Sequence, residues 1–336
     1  MKNKTVNILI LLMILFVCTD CSFSNRKNID ANESITNSIL TKMPICANNK
    51  TCFIAENSKI LRDTKNNIII DECDDDIISD VYCDDDFLYY TKQNNKKIDV
   101  ISVNLNDYDI KTTVFTIEDC KNFSMGDDFI YATDNAIYYY NYTKQILYKY
   151  QDDTLLEMLK NVTAVTFGED NIYYADFTQT LYKADYDFSN PVKIFESTEI
   201  KNSKDEFLVN WQRTCLNQYS VIKDIAECND KIIFRFCGDS AVDKGILMWV
   251  DVNGMNYNNF SSVQSYQISG EQIIAFGTVP DENISNKIFS TDFIQNKILK
   301  IESTKYMYIA DGIMYYQIKS KSDSDSWNVK KYNLKR

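Results

Sequence analysis

The chain has no histidine in its 336 residues. That removes the commonest general base, the commonest metal ligand and every Ser-His or Cys-His nucleophile pair. Glycine (8) and proline (3) are scarce, so no glycine-rich phosphate loop is present. Turns fall instead to Asn and Asp, which tolerate the left-handed region and bond their own backbone. Positive charge is in deficit, with 36 Lys and Arg against 48 Asp and Glu and a net charge of −12. Such a surface stays soluble and repels phosphate backbones, which makes nucleic acid a poor partner.

What is present is a recurring phrase, an acidic or amide turn followed by a run of Ile and Tyr. It occurs as Asp84-Asp85-Asp86-Phe87-Leu88-Tyr89-Tyr90, as Asp134-Asn135-Ala136-Ile137-Tyr138-Tyr139-Tyr140 and as Glu169-Asp170-Asn171-Ile172-Tyr173-Tyr174. It returns at Asn229–Phe234, Gly270–Phe276 and Asp311–Tyr316. A phrase at a near-constant period marks a repeat architecture. Around Tyr138 the pattern predicts strands at Phe129–Ala132, Ile137–Tyr140, Ile146–Tyr150 and Leu155–Leu159, four antiparallel strands in about 40 residues, the size of a propeller blade. Anchoring on the second strand gives Phe53, Phe87, Ile137, Ile172, Ile232, Ile273 and Ile313. The expected fold is therefore an all-β, seven-bladed β-propeller, with six or eight blades left open by the weak first unit, Pro44 to Asp71. A β-sandwich or β-solenoid is the rival all-β reading. The last unit is one strand short, and an N-terminal strand at Ser38–Ile45 is expected to complete it and close the ring.

The N-terminus reads as an export address. Lys2 and Lys4 precede an apolar run from Val6 to Val17, long enough for a secretory signal and short for a membrane span. Cys21 is placed for lipidation, although Asp20 stands where a small residue is usual. The division expected is a signal at 1–21, a flexible polar tether at 22–41 and a propeller at 42–336, with an insertion at about 198–217. Full secretion or an uncleaved anchor are the alternatives, and each puts the body outside the cytoplasm, on the outer face of the cell membrane or free. Disulfides are permitted there. The local candidates are Cys46 with Cys52, Cys73 with Cys83, and Cys228 with Cys237. None of these cysteine spacings suits zinc.

The phrase Ile172-Tyr173-Tyr174 with Leu181-Tyr182-Lys183, and Ile137-Tyr138-Tyr139 with Ile146-Leu147-Tyr148-Lys149, resembles the Tyr-rich, YWTD-like propellers. These occur in low-density lipoprotein receptors and, as a domain of unknown function, in clostridial-type surface lipoproteins. The resemblance spans roughly Lys50 to Arg336 and implies extracellular binding or scaffolding without catalytic residues.

Alternation puts Tyr138 and Tyr140 on one face of a strand and Tyr139 on the other, so the strand tyrosines read as blade packing. Tyr142, Tyr186, Tyr219 and Tyr257 lie in turn-like contexts and are the better contact candidates. The insertion adds Phe207 and Trp211, apolar groups among charges. Two acidic triplets follow a Cys, Asp74–Asp76 and Asp84–Asp86, and Asp74, Asp75 and Asp76 are the better calcium candidate; no other cofactor is expected. The function expected is a non-catalytic, surface-anchored propeller, a monomer that binds or scaffolds a protein, peptide or glycan. The alternative is an extracellular carbohydrate-active enzyme with an Asp/Glu pair in the propeller channel. A structural spacer in an envelope complex is the third reading.

Overall fold

The structure, a computed structural model, describes residues 45–334 apart from 49, 95, 120–127, 134, 169, 203–219, 239–244, 255–256, 270, 280–283, 293–294, 300–306, 311 and 320–326. Among the described residues every regular element but one short 3-10 turn, Ser197–Asn202, is a β-strand. The first antiparallel sheet holds β1 (Ile45–Ala47), β2 (Cys52–Glu56), β3 (Ile60–Asp63) and β4 (Ile68–Glu72). The second holds β5 (Ile77–Cys83), β6 (Phe87–Gln93), β7 (Lys97–Asn104) and β8 (Asp107–Glu118). The third holds β9 (Phe129–Thr133), β10 (Ala136–Asn141), β11 (Ile146–Gln151) and β12 (Thr154–Lys160), and the fourth β13 (Val162–Phe167), β14 (Ile172–Asp176), β15 (Thr180–Ala184) and β16 (Val192–Glu196). A seven-stranded sheet follows: β17 (Val221–Cys228), β18 (Lys231–Cys237), β19 (Gly245–Asp251), β20 (Tyr257–Ser269), β21 (Gln272–Val279), β22 (Ile284–Thr291) and β23 (Asn296–Ile298). The last sheet is β24 (Met307–Ala310), β25 (Ile313–Lys319) and β26 (Trp327–Asn333).

The seven-stranded sheet is two blades joined through one long strand. The first half of β20 pairs with β19, from Tyr257 opposite Val250 to Val263 opposite Gly245. From Val263 onward the same strand pairs with β21, ending with Ser269 opposite Gln272. A similar relay joins β12 to β13, where only Asn161, at φ 59°, separates the outer strand of one blade from the inner strand of the next. The described strands thus resolve into seven units. The anchors Phe53, Phe87, Ile137, Ile172, Ile232, Ile273 and Ile313 fall on β2, β6, β10, β14, β18, β21 and β25, the second strand of each.

Seven apolar cores show that the ring closes. Phe53 and Leu61 of the first blade pack with Ile78 and Leu88 of the second, and Ile98 and Val100 with Ile130 and Tyr139 of the third. Tyr138, Tyr140 and Leu147 meet Val162 and Ile172 of the fourth; Leu181 and Phe195 meet Ile232 and Phe234 of the fifth. Ile233 and Leu247 pack against Ile273 and Phe289, and Ile274 and Phe276 against Met307 and Met314. In the seventh core Tyr315 of the last sheet packs with Cys52 and Ile54 of the first. Each blade therefore gives one face to each neighbour. Period-two alternation produces this division, which is why Tyr139 parts from Tyr138 and Tyr140. Of the strand expected to complete the last blade, Ser38–Pro44 lies outside the described residues. Ile45 belongs to β1 and pairs with Ile54.

The turns bear out the substitution of Asn and Asp for glycine. Asp152 (φ 51°) with Asp153 (φ 56°), and Asn229 (φ 50°) with Asp230 (φ 56°), hold the paired positive-φ positions of two-residue hairpins. Asp63, fully buried, organises another turn. It accepts from Thr51 Oγ1 at 2.6 Å, Lys65 N at 2.8 Å, Asn66 Nδ2 at 2.8 Å and Tyr108 Oη at 2.9 Å. Burial pushes this carboxyl up, but the donors outweigh burial and hold it below the usual carboxylate range. A depressed native value stabilises above the unfolded value of about 3.9 and is lost as pH falls through the native one. Urea unfolding at pH 7, 4 and 3 should therefore show a shallower acid loss in Asp63→Asn than in the wild type. Equal acid loss in both would remove Asp63 from the account.

Cys46, Cys52, Cys73, Cys83, Cys228 and Cys237 are thiols in this structure, and its geometry corrects the three local pairings expected from spacing. Cys46 points into the core with Phe53, whereas Cys52 lies on the opposite sheet face with Ile54. Cys73 precedes β5 and Cys83 ends it, about 20 Å along an extended strand. Cys228 sits opposite Lys231 and Cys237 opposite Val221, at the two ends of one hairpin.

Candidate functional site

The first strands of neighbouring blades run beside one another, β1 by β5, β5 by β9, β13 by β17, β20 by β24 and β24 by β1. These inner strands line the axis, and their C-terminal ends all reach one face, where the turn to the second strand carries the acidic part of the repeated phrase. Three consecutive inner strands deliver an aromatic ring near that end: Tyr82 on β5, Tyr131 on β9 and Phe167 on β13. Each is half-buried. Tyr131 stacks on Phe167 with centroids 4.5 Å apart, and Tyr82 meets Tyr131 edge-on at 6.0 Å. Tyr89 joins Tyr82 at 6.2 Å, Phe87 joins Tyr89 at 6.2 Å, and Tyr138 lies 4.7 Å from Phe167. The result is a continuous row of rings across three blades. Phe87, at 39% exposure, marks its open end.

Exposed carboxylates lie in turns on the same face. Asp85 and Asp86 are exposed in the β5–β6 turn, Asp170 before β14, Asp230 before β18 and Glu271 before β21. Asp152, Asp153, Asp185 and Asp187 occupy the third-to-fourth-strand turns, which reach the same face. Burial, then Tyr131 and Asp84 nearby, pushes the Tyr82 phenol up to about 12; burial and Asp84 do the same to Tyr89. Both phenols stay neutral at physiological pH and can donate hydrogen bonds. Beyond Phe167, Gly168 leaves room for the Glu227 carboxylate. A Cβ on Gly168 would stand 2.0 Å from Glu227 Oε2, whose partner oxygen accepts from Tyr173 Oη at 2.9 Å.

Of the residues singled out in sequence, Tyr186 reaches this site. Its hydroxyl donates to the Gly168 carbonyl and its ring is 42% exposed. Tyr142 lies in the β10–β11 turn, at the other end of the blade. Its amide donates to Asp128 Oδ1 at 2.7 Å, and Lys223 Nζ sits 4.9 Å from its ring centroid. Tyr257 is corrected from a turn to a strand position, since it pairs with Val250 at the start of β20. Cys21, Phe207, Trp211 and Tyr219 lie outside the described residues. The Asp74–Asp76 turn does not assemble a calcium site. Lys59 Nζ occupies it, donating to the Asp74 and Asp76 carbonyls at 2.6 and 2.8 Å. Among the described residues no three metal-ligating side chains converge.

The inner-strand carboxylates are engaged rather than poised. Asp80 is held by Ser79 at 2.7 Å and Thr91 at 3.1 Å. Asp128 accepts from Tyr139, from Asn141 and from the Tyr142 amide. Asp224 pairs with Arg235 at 2.5 Å. The aromatic row was missed in sequence because its members look like strand tyrosines. A signal did exist. Each of the three rings stands five or six residues before the anchor of the next strand, Phe87, Ile137 or Ile172.

No protein-family model and no curated protein matches the chain. Solved β-propellers do. The N-terminal domain of Nup159 superposes with a TM-score of 0.53 at 12% identity, covering 88% of this chain and 91% of that one. BamB from Moraxella catarrhalis gives 0.51 at 11% identity over 87% and 96%. An oligogalacturonate lyase in complex with manganese gives 0.50 at 8% identity over 84% and 85%. Likeness at this level shows a shared fold. An enzyme and non-enzymes use it alike, so activity must be argued from the site.

Proposed function

We propose that this propeller is a non-catalytic binding module that receives an extended, cationic polypeptide on the face where the inner strands end. The observation that carries the reading is the half-exposed aromatic row from Phe87 through Tyr82 and Tyr131 to Phe167. Rings held against one another offer large contact area at little entropy cost and accept Lys or Arg over their faces. The carboxylate turns on the same face favour positive charge and steer it inward. The engaged state of Asp80, Asp128 and Asp224 supports binding over carboxylate-pair hydrolysis. The charged and apolar N-terminal run followed by Cys21 supports a position at the cell envelope, with Cys21 as the lipidated residue. Mass spectrometry of the mature N-terminus tests that placement, and an unmodified N-terminus beyond Cys21 contradicts it.

The binding reading is tested with fluorescent peptides of equal length, one rich in Lys and Arg and one rich in Asp and Glu, beside a neutral oligosaccharide. The basic peptide should bind, and more weakly as salt rises. Tyr131→Ala and Phe167→Ala should each weaken it about tenfold or more. Unchanged binding in both variants, or preference for the oligosaccharide, would overturn the assignment.

A further inference from the structure

We propose that Cys46 and Cys83 form a disulfide that staples the first blade to the second. Cys46 lies in β1 and Cys83 closes β5, the inner strands of adjacent blades. Both side chains enter one core with Phe53, Ile78 and Leu88. Cys46 is wholly buried and Cys83 nearly so, and the two thiols are within hydrogen-bonding reach of each other. The backbone just beyond them is already tied. Asn48 Nδ2 donates to the Asp84 carbonyl at 3.0 Å, two residues past Cys46 and one past Cys83. Lys50 Nζ reaches the Asp85 carbonyl at 3.3 Å from the same turn. Two thiols brought into one core, on neighbouring strands tied together in this way, are placed to be bridged.

In the reaction two S–H bonds break and one S–S bond forms. Two electrons and two protons pass to an external disulfide oxidant, an oxidoreductase disulfide or glutathione disulfide, whose S–S bond breaks to give two thiols. Exchange needs a thiolate and an approach path. Burial, and then Cys83 beside it, pushes the Cys46 thiol well up, so the folded core resists attack. The bond therefore closes during folding, before β1 settles onto β5, and is shielded afterwards. It spans the first blade, whose other face packs on the last sheet, and so locks one side of the seam where the ring closes. Nothing in this step depends on the ligand proposed above.

The full chain is refolded in a glutathione redox buffer, blocked with maleimide and cleaved before aspartates. Asp74–Asp76 and Asp80 lie between Cys73 and Cys83, and a second cleavage by trypsin after Lys50 parts Cys46 from Cys52, so the fragments distinguish all four. The Cys46 fragment should be found linked to the Cys83 fragment, and the link should resist dithiothreitol until denaturant is added. Oxidised wild type should melt about 5 °C above the reduced protein. Cys83→Ser should match the reduced protein, and Cys73→Ser should keep both the link and the higher Tm. The oxidised–reduced comparison uses no variant, so misfolding of Cys83→Ser would not obscure it. Maleimide on both Cys46 and Cys83 after oxidative refolding would overturn the proposal, as would a link from either to any other cysteine.

Discussion

A chain ending before Met307 should not fold cooperatively. Its removal of β24, β25 and β26 strips two cores at once. Ile274, Phe276 and Ile288 lose Met307 and Met314 on one side of the gap, while Cys52 and Ile54 lose Tyr315 on the other. Each large apolar side chain returned to water costs roughly 1.5–3 kcal/mol. Four or five of them amount to about 6–15 kcal/mol, the whole stability of an ordinary domain. An open repeat array tolerates losing its last unit because that unit has one neighbour; a closed ring does not. Calorimetry should show no sharp transition, and near-UV dichroism should lose its aromatic bands. A cooperative melt within a few degrees of the full chain would mean the last sheet is an appendage. Val192→Ser on β16, where the side chain is 59% exposed, is the matching control. It should change stability by no more than about 0.5 kcal/mol.

Asp128→Ala should be the most damaging single polar substitution. Asp128 is buried just before β9 and gathers three donors. Tyr139 Oη, fully buried, donates to Oδ2; Asn141 Nδ2 donates to Oδ2 at 3.2 Å; the Tyr142 amide donates to Oδ1 at 2.7 Å. Burial and the Asp128 charge hold the Tyr139 phenol well above its ordinary value, so it stays a donor at any working pH. Removing the acceptor leaves three polar groups short of a partner, at about 3–5 kcal/mol. Tyr139→Phe removes one donor and leaves the carboxylate with two, so its loss should be nearer 1–2 kcal/mol. Chemical denaturation of the two variants checks the order. A larger loss for Tyr139→Phe would show that the ring hydroxyl, not the carboxylate, organises the turn.

Much of the ring was legible in the chain for a physical reason. A strand buried on both faces must show apolar groups at odd and even positions, and left-handed turn positions fall mostly to Asn and Asp. The Ile-Tyr run behind an acidic turn meets both demands at once, so Phe53, Phe87 and their five counterparts marked the second strands. The site was less legible. A ring half-open at the end of an inner strand, such as Tyr131, has the same neighbours in sequence as a core ring such as Tyr139; only packing separates them. The cysteines failed for a related reason. Spacing brings Cys46 and Cys52 to one hairpin, but pleating sends them to opposite faces, and Cys46 meets Cys83 only through the contact between blades. Cys228 and Cys237 were close in number and a whole strand apart in space.

The central claim is a closed ring of seven blades, and the most direct measurement is a double-mutant cycle across its seam. Ile54 of the first blade and Tyr315 of the last line one core and are 7% and 5% exposed. The unfolding free energies of Ile54→Ala, Tyr315→Ala and the double variant are compared with the wild type. Closure predicts a coupling of about 0.5 kcal/mol or more, because the two share a cavity. Losses that add within about 0.3 kcal/mol would mean that the first and last blades do not meet, and the ring account would fall.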